Sequence, residues 1–181
     1  MLKFLKIQEK HLALILNWRT RPDVTQFMFS DMEHDLEKQK QWHRDIQADE
    51  TSRYWIISYQ DKLIGMIYLT DVDLSNRQCA WGYYIGEASN RMIGGIIPPY
   101  LFNYVFHQMG CSKICAEIME GNENAIKLNE MFGFKLVARH ENHIHKYGKD
   151  HDVFVYELLD STWSSSNKYK RFVAEFEELN L

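Results

Sequence analysis

The segment formed by residues 81–110 constrains the fold more than any other part of the sequence. It is rich in β-forming residues as far as Gly86, continues as a polar loop that contains two adjacent glycines, and ends as an apolar stretch with helical spacing. Pro98 and Pro99 fit only the first turn of that helix, where a missing N–H costs little, and Gly110 is expected to end it. The segment is therefore predicted to form a strand, a glycine loop and a helix.

The rest of the chain alternates between helical and strand patterns, with no visible repeat or low-complexity segment. The predicted elements are a strand at 2–7, helices at 9–20 and 35–48, strands at 54–59, 63–70 and 78–86, a helix ending at 107, a strand at 112–119, a helix at 122–132, and strands at 134–147 and 152–159, the last two turned by residues 148–150. Three consecutive strands predict an antiparallel meander. The order as a whole predicts an α+β fold with a mixed, mostly antiparallel sheet and helices on its faces.

The length and composition fit one globular domain with a short extension. A chain of 181 residues can bury a full core, and 45% hydrophobic with 25% charged residues is ordinary for a globular protein. We assign residues 1–160 to the domain and residues 161–181 to a C-terminal helix, since Phe172, Phe176 and Leu179 recur there at helical spacing. This helix could pack on the domain or on a second subunit, so both a monomer and a homodimer stay open.

Charge, hydropathy and cysteine content exclude several classes of partner. A net charge of −4, with basic residues scattered among acidic ones, offers no broad cationic face for nucleic acid. The apolar runs are far shorter than the roughly 20 residues that a membrane span needs, so no membrane partner is expected. Three cysteines form neither an even disulfide framework nor a CxxC pair, and no signal-peptide pattern opens the sequence. A cytoplasmic location is therefore expected.

The glycine loop has the physical features of a phosphate site. A strand that leads through a loop into a helix start directs backbone N–H groups and the positive end of the helix dipole to one point. Arg91 adds a cation there, and Gly94 and Gly95 let a ligand approach the backbone. The pattern is not G-x-G-x-x-G and lacks the Lys-Ser/Thr pair of a P-loop, which weakens dinucleotide and nucleoside-triphosphate interpretations. The alternative is that the two glycines only form a turn.

The loop sequence Arg91-Met-Ile-Gly94-Gly95 resembles the R/Q-x-x-G-x-G/A loop of the GNAT N-acetyltransferase superfamily, with Ile96 where that pattern prefers Gly or Ala. The resemblance implies that the loop binds the pyrophosphate of acetyl-CoA and that the end of the preceding strand pairs with the pantetheine arm. The implied cofactor-binding residues are Tyr84, Ile85, Gly86, Arg91, Met92, Ile93, Gly94, Gly95 and Asn124.

A second stretch, residues 117–134, resembles the N-x-x-A-I-x-L-Y-x-x-x-G-F signature that ends GNAT domains. The two resemblances together imply the GNAT fold and an acetyl-CoA-dependent N-acetyltransferase that uses no metal. The tyrosine of the signature usually protonates the departing thiolate, and Asn129 stands in its place. Asparagine cannot act as an acid, but its amide could hydrogen-bond the sulfur or hold a water molecule, and a thiol pKa of about 8.5 makes a protein acid only modestly necessary.

Amide formation also requires a neutral amine and an acceptor for the proton that the amine loses. Glu117 is the first candidate for this base and Glu120 the second, acting directly or through water, although a solvated strand carboxylate is the alternative for either. Asp71 and Asp73 are weaker candidates, because they are expected to lie in a turn. By the resemblance, a backbone N–H near Tyr84 or the following residue polarises the thioester carbonyl.

The segment Trp18-Arg19-Thr20-Arg21-Pro22 resembles a W/F-R-N-x-P segment found in two GNAT branches, the ribosomal-protein N-terminal acetyltransferases and the sugar-nucleotide N-acetyltransferases. Within the second branch the likeness is to pseudaminic-acid pathway enzymes, which acetylate the 4-amino group of a UDP-linked 2-acetamido-2,4,6-trideoxy amino sugar. Arg19 or Arg21 could pair bidentately with a diphosphate, and an exposed structural arginine is an equal alternative. By the same resemblance, Thr70 and Trp81 are predicted to line the sugar pocket.

Other functions stay open beside acetylation of a small-molecule UDP-amino sugar. A protein or peptide amine is one alternative acceptor, and a non-catalytic acyl-CoA-binding module is suggested by Asn129 and Ile96. His140, His143 and His145 invite a metal interpretation, since two of them would share one face of a strand. No cysteine or carboxylate stands at a structural-zinc spacing from them, and the expected reaction needs no metal.

Overall fold

A computed structural model describes residues 1–178, which form one seven-stranded sheet with helices on both faces. The strands are β1 (Leu2–Lys6), β2 (Arg53–Tyr59), β3 (Lys62–Asp73), β4 (Gln78–Ile85), β5 (Lys113–Met119), β6 (Lys135–Lys146) and β7 (Lys149–Leu159). The helices are α1 (Leu12–Arg19), α2 (Pro22–Thr25), α3 (Leu36–Ala48), α4 (Pro98–Asn103), α5 (Glu123–Phe132) and α6 (Asp160–Ser164), with 3₁₀ turns at Glu9–His11 and Ala88–Ile96 and a π-helical turn at Tyr104–Gln108. Within the same residues, no helix is both long enough and apolar enough to span a membrane.

Across the described chain, the sheet has the order β1-β2-β3-β4-β5-β7-β6, and only the β4–β5 pair is parallel. The predicted α+β fold with a mostly antiparallel sheet is confirmed. The β6–β7 hairpin turns at Tyr147 and Gly148, both at positive φ, as a two-residue type I′ turn requires. The predicted turn at 148–150 was therefore too long, and β7 begins at Lys149 because this tighter turn lets pairing start at once.

Two apolar clusters form the core, one on each face of the sheet. On the α5 face, α4, α5 and α6 cover a cluster that includes Trp55, Trp81 and Phe102. On the α1 face, α1 and α3 cover a smaller cluster that includes Trp18 and Tyr84. Because successive side chains of a strand point to opposite faces, β4 contributes to both clusters and stands at the centre of the molecule.

The long helix predicted after the glycine loop is divided into shorter pieces. The loop itself winds as the 3₁₀ turn, α4 begins at Pro98 and Pro99 as predicted, and the π-helical turn replaces the last α-helical turn before Gly110. Within the π-helical stretch, the N–H of Met109 bonds to the C=O of Tyr104, five residues back. The wider turn carries the chain toward β5.

The predicted C-terminal helix is wrong for residues 165–178. Phe176 instead forms a parallel bridge with Phe4 of β1, and the two rings stack with centroids 4.2 Å apart. The Glu177 N–H donates to the Phe4 carbonyl at 3.0 Å, while the Glu177 carboxylate accepts from the N–H of Lys6 at 2.7 Å. Residues 176 and 177 therefore pack on the domain and pair with the edge strand β1. These contacts stabilise an extended conformation there more than the helical spacing of the apolar residues favours a helix. Residues 179–181, with Leu179, lie outside the described residues, and the division at residue 160 stays a prediction.

Candidate active site

A cleft of about 520 Å³ opens where β4 and β5 separate. The two strands pair only between residues 78–80 and residues 113–115. Beyond that point, residues 81–85 and 116–119 line opposite walls of the cleft. Within the described chain, the facing edges of these two segments have no strand partner, so their backbone N–H and C=O groups are available to a ligand.

The predicted phosphate loop forms one wall of this cleft. Arg91, Gly94 and Gly95 line it together with Asn124 at the start of α5. Gly94 is buried, and a Cβ added there would lie 3.4 Å from the hydroxyl oxygen of Tyr83. The loop thus lets a ligand approach the start of α5, where the backbone N–H groups carry partial positive charge.

Three of the predicted cofactor residues do not line the cleft. Met92 is 96% exposed, and Ile93 packs against the α5-face cluster. Gly86 lies under the indole of Trp18, where an added Cβ would come within 2.2 Å of a ring atom. Tyr84 and Ile85 do line the cleft, but the Tyr84 hydroxyl donates to the sulfur of Met66 at 3.1 Å in the α1-face cluster. Because the hydroxyl is engaged there, only the backbone of Tyr84 is left to contact a ligand in the cleft.

An ion pair joins the phosphate loop to α2 across the mouth of the cleft. The Arg91 guanidinium pairs with Asp23, which Arg21 also binds through two hydrogen bonds of 3.0 and 2.8 Å. The hydrogen bonds from Arg21, reinforced by those from Arg91, lower the pKa of Asp23 to about 2. Asp23 lines the cleft and was missed by sequence reasoning. Arg21, a candidate for diphosphate binding, already has this carboxylate as its partner.

The rest of the mouth of the cleft is largely aromatic and apolar. Val24, Phe27 and Met28 line it from the α2 side, and Tyr68 lines it from β3. The Tyr68 ring lies over Gly82, where a Cβ would come within 2.4 Å of the hydroxyl oxygen. Burial raises the pKa of Tyr68, so the phenol stays protonated at neutral pH. The only sequence signal for residues 24–28 was the proline at position 22, which ends the first helical pattern.

The predicted acceptor residues are divided between the cleft and its surroundings. Trp81 lines the cleft. Arg19 lies outside its lining and donates to the hydroxyl of Thr25 at 3.4 Å, which places it behind α2. Thr70 pairs with Ala80 before the strands separate, so it also lies outside the cleft lining.

A buried lysine holds the end of α2 and the residues that follow it against the sheet. The Lys146 side chain, at the end of β6, is 2% exposed. Its ammonium group donates to the carbonyls of Thr25 and Met28 at 2.7 and 2.8 Å and pairs with the carboxylate of Asp31 at 2.8 Å. These two hydrogen bonds and the ion pair join the end of β6 to residues 25–31, so Lys146 positions the apolar mouth of the cleft.

Replacing Lys146 by methionine should destabilise the protein by about 3 kcal/mol, because two backbone carbonyls lose their buried donor. For a chain of this size, that corresponds to a fall in Tm of about 6–12 °C in thermal unfolding followed by circular dichroism. Lys149→Met, an exposed lysine on the same hairpin, is the matched control and should leave Tm unchanged. Equal Tm values for the two variants would contradict the anchoring role.

Glu117 lies in the cleft, whereas the other candidate bases do not. Ile114 and Ala116 pack in the α5-face cluster, so strand alternation directs Glu117 to the α1 face, where its exposed side chain lines the cleft. Glu120 lies outside the cleft lining and accepts from the N–H of Asp152 at 3.4 Å. Asp71 and Asp73 belong to the end of β3 rather than to a turn, which corrects the prediction, and hydrogen bonds to Asp73 from Ser75 and Asn76 in the turn that follows lower its pKa to about 2. Asp71 is exposed at positive φ.

Asn129 is buried at the base of the cleft, on α5. Its side-chain nitrogen donates to the carbonyl of Ala125 at 2.8 Å. Among residues 1–178, its side-chain oxygen has no hydrogen-bond partner. The atom left for a ligand or a water molecule is therefore an acceptor.

The three histidines lie on β6, away from the cleft. The rings of His140 and His143 are 5.0 Å apart, and His145 contacts the carboxylate of Asp150 at 2.7 Å. No group of three or more His, Cys, Asp or Glu side chains in the described part of the chain is arranged to hold a metal ion.

Residues 5–155 match the family model described as the acetyltransferase (GNAT) domain. Because this match covers most of the sequence, the chain belongs to the GNAT acetyltransferases, which use acetyl-CoA. The predicted GNAT fold and acetyltransferase class are confirmed.

Individual relatives refine this class. Acetyltransferase PseH of Campylobacter jejuni is 25% identical over 154 residues, which are 83% of this chain and 87% of the relative. This similarity confirms the predicted resemblance to pseudaminic-acid pathway acetyltransferases. The putative ribosomal N-acetyltransferase YdaF of Bacillus subtilis is 28% identical over 106 residues, 58% of each chain. The structure of spermidine N-acetyltransferase from Vibrio cholerae, in complex with CoA and spermine, matches with a TM-score of 0.83 at 17% identity, over 90% of this chain and 98% of that one.

Proposed function

We propose that the chain transfers the acetyl group of acetyl-CoA to the 4-amino group of a UDP-linked amino sugar in pseudaminic (nonulosonic) acid biosynthesis. The observation that carries the proposal is the cleft at the β4–β5 separation, which has a glycine loop on one wall, an apolar, aromatic mouth, and the carboxylate of Glu117 in its lining. The similarity to the PseH relatives over most of both chains supports the choice of acceptor.

The charges of the cleft favour this acceptor over a polyamine. Two carboxylates line it, and Asp23 is already paired with two arginines, which leaves Glu117 to face an acceptor. A polyamine carries several positive charges and needs several free carboxylates. A deoxy sugar presents apolar C–H surface and a methyl group, which suit Phe27, Met28 and the Tyr68 ring.

In the proposed donor site, Arg91 and the glycine loop bind the pyrophosphate, and the free edge of β4 at Tyr84 and Ile85 pairs with the pantetheine arm. The neutral amine attacks the thioester carbonyl from the α1 face. Glu117 accepts the proton that the nitrogen loses as the C–N bond forms. The C–S bond then breaks, and the sulfur leaves with the electron pair.

Replacing Arg91 by alanine is expected to raise the dissociation constant of acetyl-CoA about 10-fold, since the pyrophosphate loses a charge-assisted hydrogen bond. The loss stays moderate because Arg91 must first give up part of its interaction with Asp23. Isothermal titration calorimetry measures the effect. Arg44→Ala removes the same charge from the exposed surface of α3 and is the control. An unchanged dissociation constant for Arg91→Ala would exclude Arg91 from the donor site.

The acceptor can be tested by measuring thiol release from acetyl-CoA with a UDP-4-amino sugar, a peptide with a free N-terminus and spermidine. We expect release with the sugar nucleotide alone. Release with the peptide alone would instead support the ribosomal-protein type of acetyltransferase, the second candidate suggested by the YdaF similarity. No release with any amine, despite tight CoA binding, would indicate a non-catalytic acyl-CoA-binding module.

A further inference from the structure

Two buried polar atoms in the cleft lack hydrogen-bond partners among residues 1–178. They are the indole nitrogen Nε1 of Trp81 and the amide oxygen Oδ1 of Asn129. Both residues line the cleft, and they are 8% and 4% exposed. Buried polar atoms are nearly always paired, because an unpaired one loses its hydration without compensation. One of the two is a donor and the other an acceptor, so a group that both accepts and donates has the chemistry that complements the pair.

Neighbouring contacts hold each atom in its orientation. The side-chain nitrogen of Asn129 donates to the carbonyl of Ala125, and because a carbonyl can only accept, the amide cannot rotate to exchange its nitrogen and oxygen. The Trp81 indole stacks on Tyr83 with centroids 5.6 Å apart and meets the edge of Phe102 at 4.7 Å. The indole N–H therefore cannot turn toward another partner.

The two atoms lie on the walls of the cleft where the chemistry must occur. Ala80 pairs with Cys115 in the last parallel pair of β4 and β5, so Trp81 is the first residue beyond it, at the apex of the separation. Glu117 stands two residues past the same pair, on the opposite face of the sheet. In the proposed reaction the amine attacks the thioester from the α1 face, while the CoA lies along the α5 face. The carbonyl carbon and the sulfur of the thioester then lie near this apex.

We propose that Trp81 and Asn129 together hold one water molecule, and that this water hydrogen-bonds the sulfur that leaves during acetyl transfer. The water accepts from the indole N–H and donates one hydrogen to the Asn129 oxygen, which leaves its second hydrogen for the sulfur. As the C–S bond breaks, the electron pair stays on sulfur, and the water stabilises the thiolate until solvent protonates it. The catalytic role of this water rests on the proposed acetyl transfer, whereas its binding does not.

A double-mutant cycle tests the shared water. Trp81→Phe keeps an aromatic ring without the N–H, and Asn129→Leu keeps the volume without the acceptor. Each single variant should lower kcat about 10-fold with little change in the KM for acetyl-CoA, measured with whichever amine the wild-type enzyme acetylates. The double variant should be no slower than the worse single variant, because both changes remove the same water. Losses that multiply to about 100-fold, or an unchanged kcat, would overturn the proposal.

A crystal structure of the ligand-free protein tests the site independently of activity. We expect one ordered water within about 3 Å of both Trp81 Nε1 and Asn129 Oδ1, and its absence in Asn129→Leu. Thermal unfolding of each variant shows whether it is folded. Without this water in the wild-type structure, the proposal fails even if acetyl transfer is established. If the water is present but no amine is acetylated, the proposed function fails while the water site stands.

Discussion

Replacing Glu117 by glutamine is expected to lower kcat by about 10²-fold or more, with the KM for acetyl-CoA little changed. The glutamine side chain has nearly the same shape as the glutamate but cannot accept the proton of the attacking amine, and general-base catalysis typically contributes 10²- to 10⁴-fold. Glu117 is the cleft-lining carboxylate on β5, and strand alternation directs it to the face from which an acceptor would enter. Steady-state rates with saturating acetyl-CoA, measured from about pH 6 to about pH 9, report the loss.

Glu120→Gln is the matched control for this prediction. Glu120 lies three residues further along, outside the cleft lining, where it contacts the backbone of Asp152. Its replacement should change kcat by less than about threefold, a difference well below a typical general-base contribution. If Glu120→Gln is the slower variant, the base is Glu120, and if both variants retain the wild-type rate at every pH, neither carboxylate is the base.

Replacing Gly86 by alanine is expected to destabilise the protein by about 3 kcal/mol, the upper part of the range for an overpacked core. An ideal Cβ at Gly86 would lie 2.2 to 2.6 Å from three ring atoms of Trp18. The indole has little freedom to move away, because it is buried in the α1-face cluster and its N–H donates to the carboxylate of Glu87 at 2.8 Å. We expect Tm to fall by about 6–12 °C in differential scanning calorimetry.

Two further variants separate this clash from a general effect of adding a methyl group. Gly95→Ala is the control for stability, since its Cβ would meet its nearest neighbour, Leu128, at 3.8 Å, and its Tm should stay close to wild type. Combining Gly86→Ala with Trp18→Leu should cost less than the sum of the two single changes, because the smaller side chain relieves the contact. Strictly additive losses would mean that the Trp18 ring is not what Gly86 accommodates.

Local patterns predicted most of the elements because their causes are local. Gly133 ends α5 at positive φ, as the signature around it indicated, and its N–H bonds to carbonyls in the last turn. Arg91, Gly94, Gly95 and Glu117, which sequence motifs singled out, line one cleft with Asn124, while their roles stay predictions. The helix predicted for the tail failed because the free edge of β1, more than 150 residues away, offers Phe176 and Glu177 backbone and aromatic partners.

The sequence by itself determined the class of fold, the position of the glycine loop and the replacement of the usual tyrosine by Asn129, because each depends on residue types at short spacing. Only the tertiary structure decided where β4 and β5 separate, that Glu117 but not Glu120 lines the cleft, and that Asp23 pairs with Arg91. It also brought the unpaired atoms of Trp81 and Asn129 to the same cleft. These features depend on strand register and on contacts between residues far apart in the chain, and no local spacing encodes such distances.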